Sequence, residues 1–189
     1  MEVNVLTLAD GEQIEVQYAF VADPAIDSIA MAFGKDKHHF KFQEVKGSKN
    51  LIMGYAMIAD LKIDRYDEKI GRFQVVFPKA SIDKIVCNHN RNGLNKNLNE
   101  SHQTNQFTEG VFIRGNFQID SEIGLLPPKG FEVEPDGSWF IIVDTNGNQD
   151  IKQKFLDGTY TGFSIESTEF VEVKDPLQEM LHSLVSVQK

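Results

Sequence analysis

Cysteine is nearly absent from this chain. Its 189 residues include a single cysteine, Cys87, which excludes an internal disulfide and a cysteine-ligated metal site and favours a reducing compartment. Cys87 falls in a predicted helix, where we expect it to pack rather than react. The sequence also lacks an apolar run long enough to cross a membrane, and its first residues do not resemble a signal peptide. We therefore expect a soluble intracellular protein with no membrane partner.

Basic residues are in the minority. Lys and Arg number 19 against 28 Asp and Glu, a formal net charge of −9, and the basic residues do not cluster. Because a surface that follows phosphates needs clustered positive charge, we expect no nucleic-acid partner. What is abundant is phenylalanine, with 14 residues, which predicts a core of packed aromatic rings. Length and composition are those of one globular domain.

Strand-like patterns dominate the chain. Alternation over residues 2–8 and 13–18, around an Asp-Gly turn, predicts a hairpin. The apolar run at 50–61 predicts a central buried strand, with Gly54 as a bulge or a point of close approach. Two polar stretches, 64–71 and 94–109, are predicted to be a turn and a loop. Further strands are predicted at residues 40–45, 72–77, 110–120, 139–144 and 162–170.

Three helices are predicted outside the strands. Residues 79–92 carry an apolar stripe, with Ser81 or a neighbour as the N-cap and Gly93 as the stop. Residues 150–156 form a short helix, and residues 175–188 have one apolar face at helical spacing. The fold class is therefore predicted to be mainly β (α+β), an antiparallel sheet or barrel flanked by two or three helices. Residues 1–174 form the domain and residues 175–189 a C-terminal amphipathic helix or tail.

Two adjacent histidines, His38 and His39, lie in a polar loop. A pair of histidines can ligate a metal ion, but adjacent residues on an extended chain point to opposite sides. The pattern therefore favours a solvated loop over a metal site.

The stretch Gly162-Phe163-Ser164-Ile165-Glu166 predicts a strand with a serine in an unusual place. Alternation puts Phe163 and Ile165 on one face, and Ser164 and Glu166 on the other. One interpretation is an antiparallel strand with one wet face and a surface hydroxyl. The other makes the serine a nucleophile, displayed beside a glycine that lets a substrate backbone approach.

A nucleophilic serine needs a base within hydrogen-bond reach, and His102 is the candidate. It lies in a polar, asparagine-rich run, which suits an imidazole that must meet solvent and substrate. A histidine in a polar loop is otherwise most often an ordinary surface residue, so this pairing depends on a wider pattern.

That wider pattern resembles the phage prohead (capsid maturation) serine proteases, which share a fold with the herpesvirus assemblin proteases. The resemblance covers residues 21–170. It is carried by the order and spacing of short segments: Val21-Ala22-Asp23-Pro24-Ala25-Ile26, the strand containing Gly54, Phe73-Gln74-Val75-Val76-Phe77-Pro78 before a helix, Asn97-Leu98-Asn99-Glu100-Ser101-His102, Glu109-Gly110-Val111, Pro128-Lys129-Gly130, Trp139, and Gly162-Phe163-Ser164-Ile165-Glu166.

The resemblance implies a seven-stranded, assemblin-like β-barrel protease domain over residues 1–174, with Ser164 as the nucleophile and His102 as the general base. It implies an endopeptidase inside the immature phage capsid, in the host cytoplasm. Its substrates would be the scaffold protein, the N-terminal part of the major capsid protein, and the protease itself. No metal or organic cofactor is implied. Because assemblin relatives dimerise, a homodimer is expected, with the C-terminal helix as a dimerisation or docking element.

The chain departs from the family pattern directly after the histidine, where members usually have Asp and this chain has Gln103. A third group normally orients the imidazole. Glu166 is the favoured replacement, with Asp120 and Glu100 as alternatives, and backbone amides beside the 127–131 loop are candidates for the oxyanion hole. The departure also leaves a second function open: an inactive relative that serves as a structural or packaged virion protein.

Overall fold

The structure is a computed structural model, which describes residues 3–8, 17–21, 31–32, 43–44, 47, 50–67, 71–100, 106–160, 162–166 and 170–172. The predicted C-terminal helix and the paired histidines His38 and His39 lie outside the described residues. The strands within them are β1 (Val3–Leu8), β2 (Gln17–Val21), β3 (Met31–Ala32), β4 (Gln43–Glu44), β5 (Leu51–Met57), β6 (Ile63–Asp67), β7 (Gly71–Val76), β8 (Leu98–Glu100), β9 (Phe112–Gln118), β10 (Trp139–Asp144), β11 (Gly162–Glu166) and β12 (Phe170–Glu172). The helices are α1 (Lys79–Asn92) and α2 (Gln149–Leu156), and a 3₁₀ turn spans Leu94–Lys96.

The described strands form three four-stranded sheets. In spatial order, the first sheet is β12-β1-β7-β6, the second is β4-β5-β10-β9 and the third is β3-β11-β2-β8. Neighbouring strands are antiparallel except for two parallel pairs, β1 with β7 and β2 with β8. The prediction of a mainly β chain of the α+β class is confirmed. The strands that the structure describes do not close into a barrel.

Three predictions about the first hundred residues are wrong. β1 and β2 do not pair as a hairpin, because β1 lies between β12 and β7, and β2 lies between β11 and β8. A strand with a partner on each side has no edge left for another. The predicted turn at 64–71 contains most of β6, whose Ile63 lies opposite Val75 in β7, and both side chains are buried. The predicted loop at 94–109 contains β8, which pairs with β2.

Strand β5 is central and buried, as its apolar run predicted. It lies between β4 and β10, and residues 54–57 are all buried. The bulge, however, is not at Gly54, which pairs regularly with Ile141. The pairing with β10 shifts at Ala56 instead, so Ala56 is the extra residue that a bulge inserts.

Both helices lie where the sequence predicted them, but α1 is not capped by Ser81. α1 ends at Gly93, whose φ of 63° is left-handed backbone that glycine adopts without a steric penalty. Its N-cap is Pro78, with no side-chain hydrogen bond, and Ser81 is buried inside the first turn. α2 begins after Asn148, whose side chain accepts a hydrogen bond of 3.1 Å from the amide of Ile151. No helix in the described part of the chain is long and apolar enough to cross a membrane.

The core is built from aromatic rings, as the phenylalanine content predicted. Tyr18, His89 and Trp139 meet edge to face, with ring centres 5.2 to 5.8 Å apart, and each is at most 2% exposed. These three residues join β2, α1 and β10. A second group packs α2 against the third sheet, and we call it the aromatic quartet: Phe20, Phe155, Tyr160 and Phe163.

His89 is the one histidine within the described residues, and it is neutral at physiological pH. Its Nδ1 atom lies 3.0 Å from the hydroxyl of Tyr18. Burial lowers the pKa of His89 to about 4 and raises the pKa of Tyr18 far above its ordinary value. A histidine held this way packs and bonds within the core, and it is not available as a base for a substrate.

We expect the free energy of unfolding to fall as the pH drops from 6.5 to about 4. In this window the unfolded histidine, with an ordinary pKa of 6.5, binds a proton that native His89 does not, so stability rises with pH. The loss amounts to about 3 kcal/mol once the pH reaches the folded pKa. Urea titrations at several pH values measure it. His89→Asn, which has no titrating ring, serves as the control, and a wild-type slope equal to that of the variant would contradict the prediction.

Candidate active site

Ser164 lies in the middle of β11, as predicted. The flanking residues Phe163 and Ile165 are each 1% exposed, so alternate residues of the strand belong to the core. Antiparallel pairing sets Ser164 opposite Ala19 of β2 on one side and Ala32 of β3 on the other. Directly opposed residues share a face, with Cβ atoms about 5 Å apart. The residues directly opposite Ser164 within its sheet are therefore both alanines.

Strand β8 lies on the other side of β2 and leads towards His102. Asn99 is opposite Ala19, which is opposite Ser164, so the three positions are level across the sheet. Two strand spacings, about 10 Å, separate Ser164 from Asn99. Because β8 is parallel to β2 and β11 is antiparallel to it, the last residue of β8 and the first residue of β11 lie at the same end of the sheet, the edge formed by the strand ends. His102 lies in the stretch 101–105, outside the described residues, so its contact with Ser164 stays a prediction.

A hydrogen-bonded ion pair joins the two chain segments at this edge. Glu100 is the last residue of β8, and its Oε2 atom accepts a hydrogen bond of 2.8 Å from Lys154 Nζ and another from the hydroxyl of Tyr160. Lys154 Nζ also lies 2.7 Å from Asp150 Oδ2, one turn earlier on α2, and 5.6 Å from the ring centre of Tyr160. We call Glu100, Lys154 and Tyr160 the edge cluster.

The protonation states in the edge cluster follow from these contacts. Hydrogen bonds to Asp150 and then to Glu100 raise the pKa of Lys154, so its ammonium stays charged. Burial, followed by the hydrogen bond to Glu100, raises the pKa of Tyr160 to about 12, so its phenol keeps its proton and donates it. Oε2 of Glu100 is thus engaged by one cation and one neutral donor. The described contacts of Glu100 therefore join the end of β8 to α2 and to the turn that precedes β11.

The other two carboxylates considered for orienting the imidazole differ in position. Glu166 is two residues beyond Ser164 on β11, opposite Gln17; the structure does not describe its side chain, so its role stays a prediction. Asp120 follows β9 of the second sheet, and its Oδ1 accepts hydrogen bonds from the amides of residues 122 and 123 at 3.1 and 3.3 Å. These contacts stabilise a local turn.

Among the described residues, no three His, Cys, Asp or Glu form a group that would hold a metal ion.

The 127–131 loop, the predicted source of oxyanion-hole amides, packs on the second sheet. The ring of Phe131 lies 5.0 Å from that of Phe140 in β10, and its amide donates a 3.2 Å hydrogen bond to the carbonyl of Pro128. Just beyond the loop, Tyr55 of β5 donates to the carbonyl of Glu132 at 2.7 Å. The amide of Phe131 is therefore already used within the loop, which leaves it unsuited to the predicted role.

A groove of about 420 Å³ separates α1 from β9. The side-chain amides of Asn90 and Asn116 bond to each other across it at 3.0 and 3.3 Å. Cys87 lines the groove and is exposed, so the prediction that it packs is wrong. Cys87 directly follows Val86, the last residue of the apolar stripe of α1. Because successive helix residues are rotated by about 100° around the axis, Cys87 lies outside the buried face. The groove includes no residue of β11 and none of the edge cluster.

Lys154 and Tyr160 were missed by sequence reasoning. They lie 54 and 60 residues from Glu100, and no periodic pattern indicates a contact over such a separation. The one local signal was the four-residue spacing of Asp150 and Lys154 on a predicted helix, which favours an ion pair on that helix but says nothing about a third partner.

We expect Cys87 to react with Ellman's reagent as completely in the native protein as in denaturant, because the thiol is exposed. Cys87→Ser should change the free energy of unfolding by less than about 0.5 kcal/mol, as is usual for a surface substitution. Absorbance of the released thiolate and a urea titration measure the two effects, and Cys87→Ser is the blank for the first. A thiol that reacts only after unfolding would contradict the prediction.

Comparison of the chain with family models, with curated proteins and with solved structures found no match. The structural observations that bear on function are the level of Ser164 within its sheet, the direction of β8 and the contacts of the edge cluster.

Proposed function

We propose that this chain is a serine endopeptidase that matures a phage capsid, with Ser164 as the nucleophile and His102 as the general base. One observation carries the proposal: β11 and β8 flank β2, and Ser164 is level with Asn99, three residues before His102. His102 is the second residue after Glu100, where β8 ends. Two extended residues span about 7 Å, so backbone and imidazole together can cover the roughly 10 Å between the two strands. We also propose that the domain has the assemblin-like β-barrel that the resemblance implies.

The reaction would follow the usual course of serine acyl transfer. Ser164 Oγ attacks the scissile carbonyl while His102 accepts the hydroxyl proton, and the imidazolium then gives that proton to the leaving amine. Water, deprotonated by the same imidazole, releases the acyl group from the serine. Glu166 would orient the imidazole and stabilise its charged form. Acid–base catalysis of this kind works best when the pKa of the base lies near the working pH.

The surroundings of Ser164 indicate the side from which a substrate would approach. Ala19 and Asn99, level with Ser164 on β2 and β8, are both fully buried. On the opposite side lies β3, which is outermost at that side among the described strands of the sheet and contributes Ala32. An edge strand has unpaired backbone groups that can bond to an extended peptide. We therefore propose that the substrate backbone enters over β3.

The partners follow from the resemblance to the prohead proteases. The substrates would be the scaffold protein and the N-terminal segment of the major capsid protein, cleaved inside the immature capsid in the host cytoplasm. The active form would be a homodimer in which residues 175–189 contribute a docking helix. The proposal requires no metal or organic cofactor, and neither nucleic acid nor a membrane as partner.

A second function is favoured by one residue, Gln103. If no carboxylate takes the place of the acid usually found after the histidine, the chain would be an inactive relative that is packaged as a structural virion protein. Reaction with a serine-directed phosphonate separates the two functions, because only an activated serine attacks phosphorus at an appreciable rate.

The direct test is co-expression with the scaffold and major capsid proteins. Ser164→Ala and His102→Ala should each lower cleavage by a factor of roughly 10⁴ or more, since either loss removes the reacting pair. Ser121→Ala is the matched control: its hydroxyl bonds to Asp136 at an exposed site beyond β9, and cleavage should be unchanged. Product masses measure all three. Cleavage that continues at the wild-type rate in Ser164→Ala would refute the proposal.

A further inference from the structure

The edge cluster connects the two chain segments that the proposed reaction must align. Glu100 ends β8, two residues before His102, and Tyr160 lies two residues before the first residue of β11. Their hydrogen bond, together with the 2.8 Å contact from Lys154 to Glu100, ties the end of one strand to the entry of the other. This link runs across the end of β2, which lies between them.

We propose that Glu100, Lys154 and Tyr160 are positioning residues for Ser164, and that they set the distance between its strand and the chain that leaves β8. This inference rests on the proposed protease function. In the proposed reaction the cluster touches neither the substrate nor the reacting atoms, and it acts through the two strands that it joins.

The register shows how directly such a link would act. Glu100 is opposite Phe20 of β2, and Phe20 is opposite Phe163 of β11. Glu100 is therefore level with the residue that precedes Ser164. Proton transfer needs the two heavy atoms within about 3 Å of each other, and a misplacement of 1 Å costs roughly 100-fold in rate. A small movement of Glu100 would thus be transmitted across Phe20 to Phe163, the residue directly before Ser164.

The cluster is built to hold its geometry. Tyr160 is 6% exposed, and its ring belongs to the aromatic quartet with Phe20 and Phe163. Its amide also donates a 2.7 Å hydrogen bond to the carbonyl of Lys154, which fixes the turn between α2 and β11. The hydroxyl and the ammonium therefore approach Glu100 from backbone that is itself fixed.

Asp150 provides a matched control. It bonds to the same ammonium of Lys154 as Glu100 does, but its side chain is 74% exposed and lies on α2 with Lys154. Removing its charge alters the ion pair without releasing β8. A purely electrostatic or helix-stabilising role of Lys154 would be sensitive to Asp150, whereas a role in joining the strands would not.

The test uses the full-length chain and an alkyl fluorophosphonate, with labelling of Ser164 followed by intact mass between pH 5 and 9. Tyr160→Phe and Lys154→Met should each label about 10-fold more slowly. Lys154→Arg, which keeps the cation and can still reach Glu100, should recover most of the rate, and Asp150→Asn should label like the wild type. In Tyr160→Phe the midpoint of the pH profile should stay in place, because no charge is removed.

The possible failures can be told apart. If the wild type is not labelled, or if Ser164→Ala is labelled equally, the protease function itself fails. If the wild type is labelled at Ser164 and Tyr160→Phe and Lys154→Met react at the same rate, only the positioning role is overturned. A slow Lys154→Met that Lys154→Arg does not rescue also overturns it. So does the loss of cooperative unfolding in Tyr160→Phe, since that outcome would assign the cluster to stability alone.

Discussion

The third sheet depends on the burial of one strand, β2. Its residues Tyr18, Ala19 and Phe20 are each at most 1% exposed, and it has a partner on each side. Tyr18 packs edge to face on His89 of α1 and Trp139 of β10, which attaches this sheet to a helix and to the second sheet. The level of Ser164 with Asn99 follows from strands that are paired to β2.

The core also fixes which residues of the third sheet lie level with Ser164. Phe163 and Ile165 are buried opposite Phe20 and Tyr18, and a shift of one residue would exchange these apolar side chains with their polar neighbours. The register of β11 is therefore strongly specified by hydrophobic burial. The level of Ser164 along its strand is therefore a consequence of core packing.

Local patterns in the sequence were enough to predict single elements. α1 with its glycine stop, β10, and β11 with its alternation all follow from spacing within a few residues. His89 carried a usable signal too, because it lies three and four residues after Val86 and Ile85 on the buried face. The three-residue strand β8 did not, since Leu98 is its one apolar residue and its stability comes from pairing with β2.

Pairing between distant segments was beyond local patterns for a physical reason. Whether β1 pairs with β2 or with β7 depends on which arrangement buries more apolar surface over the whole chain, and a turn signal at residues 9–12 does not decide it. The same holds for the candidate site. Ser164 was predicted as the nucleophile from its own strand and from the wider resemblance, whereas the contacts of Glu100 with Lys154 and Tyr160 form only when α2 packs on the third sheet.

The short connection from α2 to β11 is held by contacts on both sides. Asp157 accepts hydrogen bonds from the amide and hydroxyl of Thr159, which tightens the turn after the helix. Tyr160 then bonds back to the helix through its amide and across to β8 through its hydroxyl. Because β11 begins two residues later, the strand enters the sheet from a point held on two sides. A reaction that requires alignment within a fraction of an ångström is best served by such a rigid entry, since side-chain rotation alone does not provide it.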